Sequence, residues 1–190
     1  MGNLKRFAIL ASASVLFGTS PVKASWYISF WNGSMLDSDL NNTLTFKGRT
    51  RPETVTGLGI GKKLLSKGHF DLSGEVNVLH HNVLEPYYGK SFIEGVTGLK
   101  LTYLTSLANF SIIEGVSYNT SSSDYEKRTK YGNGKSSQLL NYLALEVEVP
   151  MDKQYSLLGR IHHRSGIYGF FDGVSGGSNA YLLGLKYKIL

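Results

Sequence analysis

Segments of about ten residues in which apolar and polar side chains alternate recur along this chain, and few architectures use so many of them. From His69 to Leu79, Phe70, Leu72, Gly74, Val76 and Val78 fall on one face of an extended backbone, while Asp71, Ser73, Glu75 and Asn77 fall on the other. Ile93, Gly95, Thr97, Leu99, Leu101 and Tyr103 repeat the pattern against Glu94, Lys100 and Thr102. So do Leu143, Leu145, Val147 and Val149 against Glu146 and Glu148, and Tyr181, Leu183, Leu185, Tyr187 and Ile189 against Gly184, Lys186 and Lys188. Strands near Trp26 to Trp31, Val55 to Leu65, Leu107 to Tyr118 and Tyr155 to Ser165 complete a set of eight.

The connections alternate in length. Short turns at Ser66-Lys67-Gly68, Thr105-Ser106 and Pro150 to Lys153 are interleaved with long segments at about Asn32 to Thr54, His80 to Ser91, Thr120 to Gln138 and Arg164 to Asn179. An even strand number with turns at one end and loops at the other predicts an all-β, eight-stranded antiparallel transmembrane β-barrel of the bacterial outer membrane. A soluble barrel is the competing architecture. No apolar run reaches the roughly 18 residues of a helical membrane span.

The first 24 residues read as an export signal: a basic start at Lys5 and Arg6, an apolar stretch from Phe7 to Phe17, and the small-residue exit Val22-Lys23-Ala24. Residues 1–24 are thus expected to be a cleaved signal peptide and 25–190 the barrel. The chain carries a formal charge of +6, but Lys5, Arg6 and Lys23 supply half of that excess, which removes the argument for a nucleic-acid partner. There is no Cys, so disulfides, thiolate metal sites and thiol nucleophiles are excluded.

If the polar faces line the lumen, Asp71, Glu75, Glu94, Glu146 and Glu148 meet Lys100, Arg160, Arg164, Lys186 and Lys188 in a bore just wide enough for side chains. That predicts a plugged tube, not a pore. Trp26, Trp31, Tyr87, Tyr88, Tyr103, Tyr118, Tyr155, Tyr168 and Tyr187, near strand ends, suit interfacial girdles. The chain ends on Leu190, opposite in parity to the apolar series of the last strand.

The strand Tyr155 to Ser165 carries the chemistry. Tyr155, Leu157, Gly159 and Ile161 form its outward series, which continues with His163 and Ser165, while Arg160, His162 and Arg164 point inward. An imidazole and a hydroxyl on a lipid-facing wall lack partners in hydrocarbon, so they belong near the rim. At two-residue spacing on one face they form the base and nucleophile half of a hydrolytic triad. An orienting third group is expected from Asn179, on the outward parity of the last strand, or from Asp172 in the loop between. The glycines of that loop, Gly166 first, could supply backbone N–H groups to an oxyanion.

His163-Arg164-Ser165 on the penultimate strand of such a barrel resembles the His-x-Ser motif of the lipid A 3-O-deacylase (PagL) family, acyloxyacyl-hydrolase-like outer-membrane barrels. The resemblance implies that Ser165 is the nucleophile and His163 the general base, acting on an ester-linked acyl chain of lipid A in the outer leaflet, with no cofactor and no metal. Family members usually follow the Ser with Asn and draw a Glu from the neighbouring strand; here Gly166 follows, and no Glu occurs after Glu148. The alternative reading is a non-catalytic barrel with an envelope-integrity or surface-interaction role, in which His163 and Ser165 are ordinary rim residues.

Other candidates read as structural. His162, between two arginines, belongs to the plug; His80 and His81 point to opposite sides and suit a solvated loop entrance rather than a metal. Ser121 to Ser123 with Lys127 to Lys135 reads as a polar, positively charged extracellular loop that suits hydration or lipopolysaccharide phosphates, and Gly57, Gly59 and Gly61 do not form a phosphate loop.

Overall fold

The computed structural model describes residues 25–85, 89–128 and 132–189; the signal-peptide segment, Tyr87, Tyr88 and Leu190 lie outside these described residues. Eight strands form one closed antiparallel barrel: β1 (Trp26–Asp37), β2 (Arg49–Lys67), β3 (Phe70–Val83), β4 (Phe92–Tyr103), β5 (Asn109–Asn119), β6 (Leu139–Pro150), β7 (Tyr155–Ser165) and β8 (Gly177–Ile189). Each pairs with its sequence neighbour, and β8 returns to β1. Closure leaves no free sheet edge, the requirement for backbone in hydrocarbon.

Strand β7 has the bounds expected for it, while most of the others run further toward the loop end. β1 continues to Asp37 and β2 starts at Arg49, so most of the expected Asn32 to Thr54 loop is paired sheet. Polar residues continue the ladder there, for example where Asn32 Nδ2 donates to Thr56 Oγ1 at 3.0 Å. The long connections are thereby reduced to loops L1 (38–48), L2 (84–91), L3 (120–138) and L4 (166–176). L1 holds a single helical turn, α1 (Leu40–Leu44), capped by Asp39, and L3 holds another, α2 (Asp124–Arg128). At the opposite end the β6–β7 turn is closed by Asp152, whose carboxyl accepts from the Tyr155 and Gln154 backbone N–H groups at 2.7 Å; these bonds hold it below the usual carboxylate range.

Strand parity separates two environments. Outward side chains such as Phe30, Leu58, Val78, Leu99, Leu157 and Leu183 are exposed and apolar all around the barrel, a surface that only a hydrocarbon surround covers. Trp26, Tyr103, Tyr118 and Tyr155 lie on it, as expected for a girdle. Trp31 does not: it points into the lumen, is 1% exposed, donates to Asn77 Oδ1 at 3.1 Å and lies under the Arg160 guanidinium. Its large ring is accommodated because Gly184 and Gly57, without side chains, open space for Trp31 and Leu79.

The lumen is filled. Arg160 pairs with Glu146 and Glu75, Lys100 with Glu146, and Lys186 with Glu148, all buried. Tyr27 and Tyr142 hydroxyls join this layer through Glu75 and Arg160, both at 3.1 Å. An apolar layer of Val55, Leu79, Val96, Ile113, Leu158 and Leu182 accompanies the charges. Higher up, Arg51 and Glu53 extend the ion-pair set beyond the residues read from the sequence. At the loop end α2 turns inward, and buried Glu126 receives Arg164 and the hydroxyls of Ser178 (3.1 Å) and Ser136 (2.8 Å). L3 is therefore partly a lid over the bore rather than a wholly hydrated loop.

Candidate functional site

His162 and His163 are adjacent in sequence and face opposite sides of the wall. His162 is 2% exposed, tilted against the Tyr142 ring, with Nε2 3.3 Å from Glu94. Glu94 also meets His81, whose other ring nitrogen reaches Glu53 at 2.9 Å. His81 is consequently buried in the plug, which corrects the solvated-entrance reading; only His80 faces out. Among the described residues no group of three His, Asp or Glu side chains is arranged to hold a metal ion.

On the outer wall, His163 sits directly across from Asn179 of β8 in the sheet register, with Nδ1 2.7 Å from Asn179 Oδ1. The amide orientation is set independently, because Asn179 Nδ2 donates to the Ser38 carbonyl of L1 at 2.8 Å. Oδ1 must then accept from the imidazole, so Nδ1 carries the proton and Nε2 keeps its lone pair. This is the tautomer a general base requires.

L1 makes that arrangement durable. Its short helix folds down over the outer face of β8, where the Tyr181 hydroxyl donates to the Thr43 carbonyl at 2.7 Å and the Phe46 ring stacks on Tyr181 at 5.7 Å. Leu36 and Asn179, on the outward face, are buried beneath it at 0% and 2% exposure. Phe46 and Leu44 remain exposed beside the site, continuing the apolar outer wall upward.

Ser165 shares the outward face of β7 with His163, two residues along, roughly 7 Å at strand rise. Both are half-buried. The position opposite Ser165 is Gly177, and a side chain there would begin 3.1 Å from Ser165 Cβ and 3.4 Å from His163 Cε1. The Arg164 carbonyl oxygen would be closer still, at 2.7 Å, so only glycine lets β8 pass this close beside Ser165 and His163. The structure holds no direct Ser165–His163 hydrogen bond, and such bonds often tighten only with substrate bound.

Two other sequence candidates lie elsewhere. Asp172 accepts from the Ser137 hydroxyl at 2.5 Å, tying L4 to L3, and does not contact His163. The Gly166 N–H, expected to face an oxyanion, is directed to the Gly176 carbonyl at 3.3 Å, and its parity is inward. Of the two orienting candidates, Asn179 is the one brought to the imidazole.

The structure also places two residues that the sequence pattern does not single out. Asn141 of β6 is the direct partner of Ser165 on its other side, and Glu114 of β5 is the partner of Leu143, which in turn pairs with His163. Both lie on the outward parity, and Glu114 is the diagonal neighbour of Asn141, whose direct partner on β5 is Val116. Parity within β5 would have marked Glu114 as a carboxylate on an apolar face between Ile112 and Val116.

No protein-family model matches the sequence, and no curated protein matches it either. Solved structures match the fold. Ail, the attachment invasion locus protein of Yersinia pestis, superposes with a TM-score of 0.52 at 9% identity, covering 87% of this chain and 97% of its own. The outer membrane enzyme PagL gives a TM-score of 0.52 at 14% identity, covering 86% and 99%. The N-terminal β-barrel domain of Pseudomonas aeruginosa OprF gives 0.50 at 8%, covering 87% and 97%. At these identities the likeness is one of fold: a closed eight-stranded barrel of the outer-membrane type, shared by an enzyme and by proteins of other kinds.

Proposed function

We propose that this protein resides in the bacterial outer membrane and is an esterase that removes an ester-linked acyl chain from lipid A, the 3-O-deacylation implied by the His-x-Ser resemblance. The observation that carries the reading is the 2.7 Å contact between His163 and Asn179 on the lipid-facing wall, beside Ser165 and the bare Gly177. Polar groups on that wall forgo partners in hydrocarbon, and a set arranged as nucleophile, base and orienter has a chemical reason to be there.

Ser165 Oγ attacks the acyl carbonyl carbon while His163 Nε2 takes its proton and Asn179 holds the ring. Collapse of the tetrahedral species breaks the ester C–O bond, and the imidazolium returns the proton to the departing sugar hydroxyl. Water then repeats the sequence on the acyl-enzyme and releases the fatty acid. An amide supports the imidazolium less than a carboxylate does, so turnover is expected to be slow. Lateral access suits the substrate, since an acyl chain can lie along the outer wall without entering the filled lumen.

The test is mass spectrometry of lipid A from cells expressing the wild-type protein or Ser165→Ala. The expected result is loss of one ester-linked acyl chain with the wild type only. Identical lipid A in both would support the alternative of a non-catalytic barrel.

A further inference from the structure

Building on the esterase reading, we infer that Asn141 is the oxyanion donor of this site and that Glu114 is the residue that positions it. Ester hydrolysis through Ser165 needs a hydrogen-bond donor where negative charge develops on the carbonyl oxygen. The backbone N–H that follows the nucleophile is spent on Gly176, and the neighbouring strand offers a side-chain donor in its place.

Asn141 is the only polar side chain directly opposite Ser165 in the sheet, since the partner on the other side is Gly177. Residues opposite each other on one face have Cβ atoms about 4.5–5.5 Å apart, the separation at which a short amide can reach an oxygen bonded to a carbon held by Ser165 Oγ. Asn141 is 8% exposed although it points out of the barrel. A carbonyl oxygen received there leaves bulk water, where each hydrogen bond to it counts for more.

Glu114 explains how the amide is aimed. It is the one carboxylate on an outward strand position among the described residues, set between Leu99 of β4 and Leu143 of β6 in a wall of apolar side chains. A carboxylate facing hydrocarbon is costly and has no ion-pair partner here among the described residues. Its diagonal neighbour on β6 is Asn141, whose direct partner Val116 lies two residues along β5, a separation that a long Glu side chain can span. A carboxylate accepts only, so it draws the amide NH2 group toward itself and fixes which end of Asn141 is nitrogen. One N–H is held by Glu114, and the second is free to meet the oxyanion.

In the step itself, the carbonyl π pair moves onto oxygen as Ser165 Oγ bonds to carbon, and that oxygen accepts from Asn141 Nδ2. When the pair returns to re-form the carbonyl, the ester C–O bond breaks and the leaving oxygen takes its proton from His163. Asn141 neither gains nor loses a proton.

The experiment measures kcat and KM for lipid A and for a soluble short-chain ester with the full-length barrel in detergent micelles. It compares wild type, Ser165→Ala, Asn141→Ala, Asn141→Gln, Glu114→Gln and Glu114→Leu, with folding checked by heat-modifiable gel mobility. Asn141→Ala is expected to lower kcat by about 10²–10³-fold with KM little changed. Glu114→Leu is expected to lower kcat by less, and Glu114→Gln, which keeps an acceptor oxygen, to restore most of it. Asn141→Gln gives a folded barrel even if the alanine variant does not, and it too is expected to lose kcat, because its longer amide is misplaced. Wild-type kcat in folded Asn141 variants, with Ser165→Ala inactive, overturns the inference and leaves the esterase reading standing. An inactive wild type overturns both.

Discussion

The inside and the outside of this barrel wall both carry histidines, carboxylates and hydroxyls, yet they use them differently. Inside, nearly every charge has a partner of opposite sign: Arg160 touches two glutamates, His81 is held between Glu53 and Glu94, and Arg164 reaches Glu126. Outside, polar groups on β1 to β4 such as Asn32, Thr56 and His80 lie exposed, whereas Glu114, Asn141, Ser165, His163 and Asn179 gather on neighbouring strands β5 to β8. A polar network closed on itself gains rigidity and has nothing left to offer a substrate. The latter group keeps an imidazole nitrogen and a hydroxyl without partners among the described residues, at the end of an ordered chain that runs from Ser38 through Asn179 to His163. Adjacent residues of β7 thus have opposite meanings, His162 structural and His163 chemical.

That contrast can be broken from either side. The largest effect is expected on the outer face, where Ser165→Ala or His163→Ala removes essentially all ester hydrolysis, on the order of 10⁴-fold, with little change in unfolding midpoint in urea. An equal loss of activity and fold in either variant would make the outer residues structural. Next comes the lumen: Glu146→Ala strands Lys100 in a buried site, leaves Arg160 with Glu75 alone, and is expected to destabilise the barrel by about 3–5 kcal/mol, read from equilibrium unfolding in micelles. Hydrolysis by the fraction that remains folded should be retained.

A gain of function sharpens the comparison further. Asn179→Asp places a carboxylate against His163 Nδ1, and kcat is expected to rise on the order of tenfold because the imidazolium is better supported. A fall would show that the amide is needed for its bond to Ser38 rather than for the imidazole. The smallest effect belongs to the filled bore, where planar-bilayer recordings are expected to show no steady single-channel conductance in the wild type. Persistent open channels would contradict the plug.

Much of the wall's two-sidedness is legible in the sequence, and for one reason: the side-chain period of a strand is two, so parity assigns faces without knowing the fold's details. His163, Ser165 and Asn179 on one side, and Arg160, His162 and Arg164 on the other, follow from counting along β7 and β8. Register does not follow from counting. The pairing of Ser165 with Asn141, or of His163 with Leu143 and then Glu114, depends on how each strand slides against the next, and nothing local in the sequence sets that. Strand ends are hidden for a different reason, since Asn32 to Asp37 is polar enough to read as loop although its backbone remains paired. L3 is ambiguous because the same Asp, Glu, Lys and Ser residues suit water or a charged lumen equally, and only the position of Arg164 decides that Glu126 turns inward.

The most direct measurement of the central claim, that chemistry belongs to the outer face alone, is covalent labelling with a lipid-tailed fluorophosphonate followed by peptide mapping. The account predicts a single adduct on Ser165, lost in His163→Ala and retained in His162→Gln. Absence of the adduct in the wild type, its presence on another serine, or its loss in His162→Gln but not in His163→Ala would contradict it.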